Sequence, residues 1–303
     1  MAKKKKERNA KPELMIGGQA VIEGVLMRTN EKYAIAVRQP NGRIIVKKEK
    51  YVSSTKKNKI LGLPFIRGII ALWETLNLGY RALSFSANQS LMTGEKAKEK
   101  KEEIGALELG ITLAISIIFA LALFKFLPLL IATIFKSKVG GSNFLFNLID
   151  GLSKFLILIL YLVAISLMKD VKRLFQYHGA EHKTVHCYEA NKELSVANVK
   201  KYAKAHPRCG TTFILLIILL SILFYLFIPL ETNFWLKMLI RTIFLLPVAA
   251  IAYEWIKLTG KHPHSLLSKI LAAPGILVQR LTTREPDAKQ IEVAIKALKA
   301  AVK

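Results

Sequence analysis

Three of the chain's six histidines fall at 178, 182 and 186, inside Phe175-Gln-Tyr-His-Gly-Ala-Glu-His-Lys-Thr-Val-His-Cys-Tyr-Glu189. Steps of four residues drift only about 40° around a helix axis, so a helix here carries all three imidazoles on one face. Two histidines at i and i+4 can share one metal ion. His178-Gly-Ala-Glu-His182 also reads as H-x-x-E-H, the inverted zinc-protease signature. In that reading His178 and His182 bind the metal and Glu181 takes a proton from water. His178 and His186 are about 12 Å apart along a straight helix, too far for one ion whose bonds are about 2 Å long. Either the helix breaks, with Gly179 as the candidate break point, or His186 takes another partner.

Further ligands lie close in sequence. Glu189 follows the histidine run, and His206-Pro-Arg-Cys209 offers an imidazole and a thiol. His186, Glu189, His206 and Cys209 are therefore added as ligands of a divalent metal, with zinc the first choice. A closed structural site would instead draw on His182 or His186 with Cys187, His206 and Cys209, and would leave no position open for water.

The elements that must position these groups are those of a membrane protein. Hydrophobic residues make up 52% of the 303-residue chain and are gathered in long runs. Segments 107–135, 144–168, 211–230 and 235–257 each approach the ~20 residues a bilayer requires. They predict four transmembrane helices in two hairpins, 107–168 and 211–257, so the fold class is a mostly α membrane protein. The His-rich connector 169–210 joins the hairpins.

Outside the spans, residues 1–13 form a basic arm. Segment 14–58 reads as a small antiparallel β unit: Tyr33-Ala-Ile-Ala-Val-Arg38 alternates, Pro40-Asn-Gly-Arg43 turns and Ile44 onward returns. Residues 60–94 are apolar but interrupted by Arg67, Glu74 and Asn77, which suits interfacial helices. A charged linker runs from Glu95 to Glu103. In the tail 258–303, Leu266–Leu281 is broken by Pro274-Gly275, and Thr282-Thr-Arg-Glu-Pro286 starts a helix with the proline in its first turn. Its apolar stripe of Ile291, Ala294, Ile295, Leu298 and Val302 should dock on the β unit or the membrane surface.

The net charge is +25. Lys and Arg outnumber Asp and Glu in 1–105, 169–210 and 257–303, which places both termini and the connector in the cytoplasm. The same charge suits contact with anionic lipid, and a ribosome or translocon partner as the lesser reading. The two cysteines provide no disulfide framework. Gly17-Gly-Gln-Ala-Val-Ile-Glu-Gly24 allows close backbone approach but lacks the lysine of a phosphate loop. Its Glu23 reads as an ion-paired carboxylate more than as a remote ligand. Glu254 is a functional candidate because a carboxylate within a span is costly. His262 and His264 read as interfacial.

Together, Gly17–Gly24 with Met27-Arg28, Tyr177–Glu189, His206-Pro-Arg-Cys-Gly-Thr211 and Leu281-Thr-Thr-Arg-Glu-Pro-Asp287 resemble the domain-of-unknown-function 1385 family of bacterial multipass membrane proteins. The resemblance runs from residue 14 to near the end and implies an inner-membrane protein of a kind labelled a predicted metal-dependent enzyme. The leading expectation is a membrane-embedded metal-dependent enzyme, most simply a hydrolase, with its site at the cytoplasmic face. Its substrate could be a peptide, a lipid headgroup or a phosphoester. The alternative is a non-enzymatic scaffold working with the translocon, the ribosome or other membrane proteins.

Overall fold

The computed structural model describes residues 16–90, 106–261 and 265–303. The basic arm 1–13, the charged linker and the His262–His264 pair lie outside the described residues. Four strands, β1 (Gly17–Val21), β2 (Gly24–Arg28), β3 (Lys32–Arg38) and β4 (Ile44–Lys50), form an antiparallel sheet in sequence order. Glu23, in the turn between β1 and β2, has a positive φ. Gly24 opens β2 because a Cβ there would strike the Ala36 carbonyl oxygen.

The helices are α1 (Ser54–Lys57), α2 (Ile66–Ser90), α3 (Ala106–Leu121), α4 (Leu127–Ile134), α5 (Asn143–Ser166), α6 (Lys169–Glu189), α7 (Val196–Val199), α8 (Gly210–Tyr225), α9 (Phe234–Ile243), α10 (Leu245–Lys261), α11 (Leu266–Thr282) and α12 (Ala288–Val302). A π-helical turn, Ala122–Phe126, joins α3 to α4.

The sheet is covered on both faces, as its alternation requires. Val25, Met27, Ala34 and Ala36 face Tyr177 and Ala180 of α6 and Ile291, Ala294 and Leu298 of α12. Leu26, Tyr33, Ile35 and Val37 face Leu78 and Ala82 of α2. The amphipathic tail helix thus docks on the sheet. It begins one residue after Asp287, which forms a capping box with Gln290, so Pro286 precedes the cap and does not occupy the first turn. Within the segment expected to be interfacial, α2 packs on α10. Gly68 lies against Ala250, and Arg67 ion-pairs with Glu254. That ion pair accounts for the carboxylate.

Among the described residues, three helical stretches are long and apolar enough to cross a membrane: Gly110–Ile134, Asn143–Ser166 and Phe234–Thr259. The expected 211–230 span is the shorter apolar helix α8, which ends at Tyr225. Beyond it the backbone carbonyls of Leu226 and Ile228 accept from Asn143 Nδ2 and that of Leu230 from Lys237 Nζ, in place of further helix. One expected break, at Pro274-Gly275, and one candidate break, at Gly179, are absent. α11 continues through Pro274, where Gly275 brings it flush against Thr212 of α8. α6 runs unbroken through Gly179. That glycine makes room for the Arg284 carbonyl, which a Cβ would strike.

Candidate metal centre

An unbroken α6 settles the spacing problem by dividing the histidines. His178, His182 and Cys209 bring one ligand atom each within 4.8 Å of one another, and His186, Glu189 and His206 do the same one turn along. Cys209 reaches the first group from the N-cap position of α8. His206 reaches the second because the 200–209 loop folds back along α6. Cys187 belongs to neither group. It lies on the opposite side of α6, in the core beneath the sheet, with Sγ directed at the Glu193 carbonyl. The closed site that includes it does not form.

Tautomers distinguish the two groups. His178 Nδ1 lies 2.8 Å from the Thr282 carbonyl, and His182 Nδ1 lies 2.7 Å from the Lys204 carbonyl. A carbonyl can only accept, so each Nδ1 carries the proton and each Nε2 keeps a free lone pair. This backbone anchoring is the usual outer shell of a metal-binding histidine. His178 Nε2 is 3.2 Å from Cys209 Sγ, and the two rings stand 4.4 Å apart between centroids.

Electrostatics favour the same group. Burial alone would raise the Cys209 thiol, but the neighbouring His182 ring and the hydrogen bond from Thr211 outweigh it and leave the thiol below its usual value. The α8 N-terminus acts in the same direction. Burial lowers His182.

The second group satisfies itself. His206 Nδ1 accepts from the Arg208 backbone N–H at 3.2 Å, so Nε2 carries the proton and donates to Glu189 Oε2 at 3.3 Å. The Arg208 guanidinium pairs with the other Glu189 oxygen, and His186 Nε2 donates to the Ala205 carbonyl at 2.8 Å. Burial pushes His206 down to about 4. An ion bound through His206 Nε2 would require a doubly deprotonated ring, so the donor set of the first group fits a divalent metal better.

Glu181 lies one residue before His182, packed against β1 at Gly18. Burial pushes its carboxyl up to about 8. Glu23 pairs with Arg173 and accepts from Tyr177 Oη at 3.2 Å, a structural junction between the β1–β2 turn and α6. Sequence reasoning missed Gln279. Its fully buried amide accepts from His206 N at 2.7 Å and donates to His206 O at 2.8 Å. Nothing in its neighbourhood in the sequence marks this clamp, because its partner lies 73 residues away.

The family profile described as "Protein of unknown function (DUF1385)" matches residues 63–303. The chain is also similar to "Uncharacterized protein YqhQ" of Bacillus subtilis (strain 168), 33% identical over 288 residues, which cover 93% of this chain and 90% of that protein. No solved structure matches.

Proposed function

The chain belongs to the DUF1385 family, and from that premise we propose that it is a membrane-embedded, metal-dependent enzyme, most simply a hydrolase. One observation carries the reading: two carbonyl-anchored imidazoles and a buried thiol converge within 4.8 Å. His178, His182 and Cys209 would hold the ion through two nitrogens and a sulfur, leaving a fourth position open. A divalent metal, zinc first, supplies Lewis acidity toward a substrate oxygen or water. Thr282 and Lys204 orient the two rings through their carbonyls. Glu181 is the group assigned to proton transfer. Glu189, His186 and His206 brace the loop that delivers Cys209.

The topology in this proposal has four spans, with both termini and the site on the cytoplasmic side of a bacterial inner membrane. The Lys and Arg excess of 1–105, 169–210 and 257–303 supports that orientation. It also supports contact of these segments with anionic lipid. α8 would cross as a short helix extended by the turns at Leu226–Ile228.

Metal analysis of chelator-free purified protein tests the reading. About one equivalent of a divalent metal is expected, and less than about a tenth of an equivalent counts against it. A scaffold working with the translocon or ribosome is the second reading. It is favoured by the +25 charge and the exposed Lys47 and Lys48 on edge strand β4. Salt-sensitive co-purification with ribosomes that survives Glu181→Gln would select it.

A further inference from the structure

The apolar helices enclose a second group of charged side chains, far from the histidines. Lys154 of α5 is 5% exposed, Arg241 of α9 3% and Asp150 of α5 1%. Lys125 enters from the π-helical turn between α3 and α4. The three cations surround the ring of Tyr225, at the end of α8. Lys154 Nζ and the Arg241 Cζ each lie 4.6 Å from its centroid, and Lys125 Nζ lies 5.6 Å away.

These charges do not balance. Asp150 is the one carboxylate among them: it ion-pairs with Lys154, and its Oδ1 is 3.0 Å from Arg241 Nη1. The hydrogen-bond partners of Lys125 are neutral, the Tyr225 hydroxyl at 2.9 Å and the Arg241 carbonyl at 3.4 Å. Three cations and one anion leave an excess of two positive charges. Arg241 donates through Nη2 to Asn147 Oδ1 at 2.6 Å. Its Nη1 meets only the Asp150 carboxylate, and its Nε is buried without a hydrogen-bond partner among the described residues. An orphaned charged donor inside an apolar bundle is expensive and marks a functional position. The π turn that presents Lys125 is the kind of helix defect found at such positions.

We propose that Lys125, Lys154 and Arg241 form a binding site for a phosphate group within the helical bundle. Inorganic phosphate carries up to two negative charges, matching the excess, a lipid phosphodiester carries one, and both offer several acceptor oxygens for an arginine and two lysines to share. A halide has a single acceptor centre. Lys125 is only half-buried, so it is the side chain that moves to admit the ligand. The phosphate comes either free from solution or as the headgroup of an anionic lipid.

The test uses the full chain, delipidated in a zwitterionic detergent. Its thermal midpoint is followed with inorganic phosphate against chloride at equal ionic strength, and with short-chain phosphatidylglycerol against phosphatidylcholine. Either phosphate probe should raise the midpoint saturably. Stabilisation by both, or by inorganic phosphate alone, identifies free phosphate as sufficient, and stabilisation by phosphatidylglycerol alone identifies a lipid headgroup. Lys125→Met and Lys154→Met should each weaken that probe at least tenfold, while Lys125→Arg and the surface control Lys48→Gln should not. If Lys154→Met fails to fold, the Lys125 pair decides. No shift in the wild-type protein beyond the ionic-strength control, or unchanged binding in Lys125→Met, overturns the proposal.

Discussion

Glu181 of α6 rests against Gly18 of β1 so closely that a Cβ on Gly18 would fall 2.6 Å from Glu181 Oε1. The same strand sends the Gln19 side chain to the other face, where its amide lies against Gly79 of α2. The glycine-rich opening of the β unit therefore sets the position of a carboxyl 163 residues later. Gly18→Ala should displace Glu181 and cost about 1–3 kcal/mol, the usual range for overpacking. Gly17→Ala, which meets nothing within 4 Å, should be near neutral. Thermal unfolding of the two variants checks the contrast. On the proposed function, Gly18→Ala should also lower turnover while metal is retained.

The division of the histidines makes a second prediction. His178→Ala, His182→Ala and Cys209→Ser should each lower metal content to less than about a tenth of the wild-type value, since each removes one of three ligands. His186→Ala and Glu189→Gln should retain it and instead loosen the 200–209 loop. Elemental analysis of folded variants measures this. Metal lost equally from His186→Ala and His178→Ala would show that the ion spans both groups.

Gln279 makes a third. Its amide satisfies both backbone groups of His206 in a buried setting. Gln279→Ala leaves that N–H and C=O unpaired, at about 1–3 kcal/mol each. Gln279→Glu can still accept from the N–H but, once ionised, cannot donate to the carbonyl. Both variants should unfold earlier than wild type, and amide exchange should quicken around His206 before it does in the sheet.

A fourth concerns acid stability. Glu74 of α2 accepts from Ser53 Oγ at 2.8 Å and Ser54 N at 2.7 Å. Burial raises its pKa, but hydrogen bonds from Tyr51, Ser53 and Ser54 overcome this, so the folded value lies below the ordinary 4.5. A lowered folded value stabilises the fold above the unfolded pKa, and that contribution is lost as pH falls through the folded one. Glu74→Gln should therefore lower the midpoint at pH 6 and narrow its difference from wild type below about pH 4. An equal difference at both pH values would remove Glu74 as a source of acid sensitivity.

Elements with local signals are legible in the amino-acid sequence. Apolar runs at 107–135, 144–168 and 235–257 marked three long helices, alternation marked the strands, and four-residue spacing put three imidazoles on one face of α6. Each signal repeats within a few residues, so periodicity reveals it. Tertiary structure decided the rest. Gly179 and the Pro274-Gly275 pair look like breaks, yet both helices continue, because the glycines admit Arg284 and Thr212 from distant segments. α8 stops at Tyr225 although the apolar run goes on, because side chains of Asn143 and Lys237 take up the carbonyls that follow. Cys187 and Cys209 are equal as letters. Helix phase turns the first into the core, and an N-cap position carries the second to His178 and His182. Which ligands meet depends on contacts across 22 to 104 residues, and no local pattern encodes a distance of that kind.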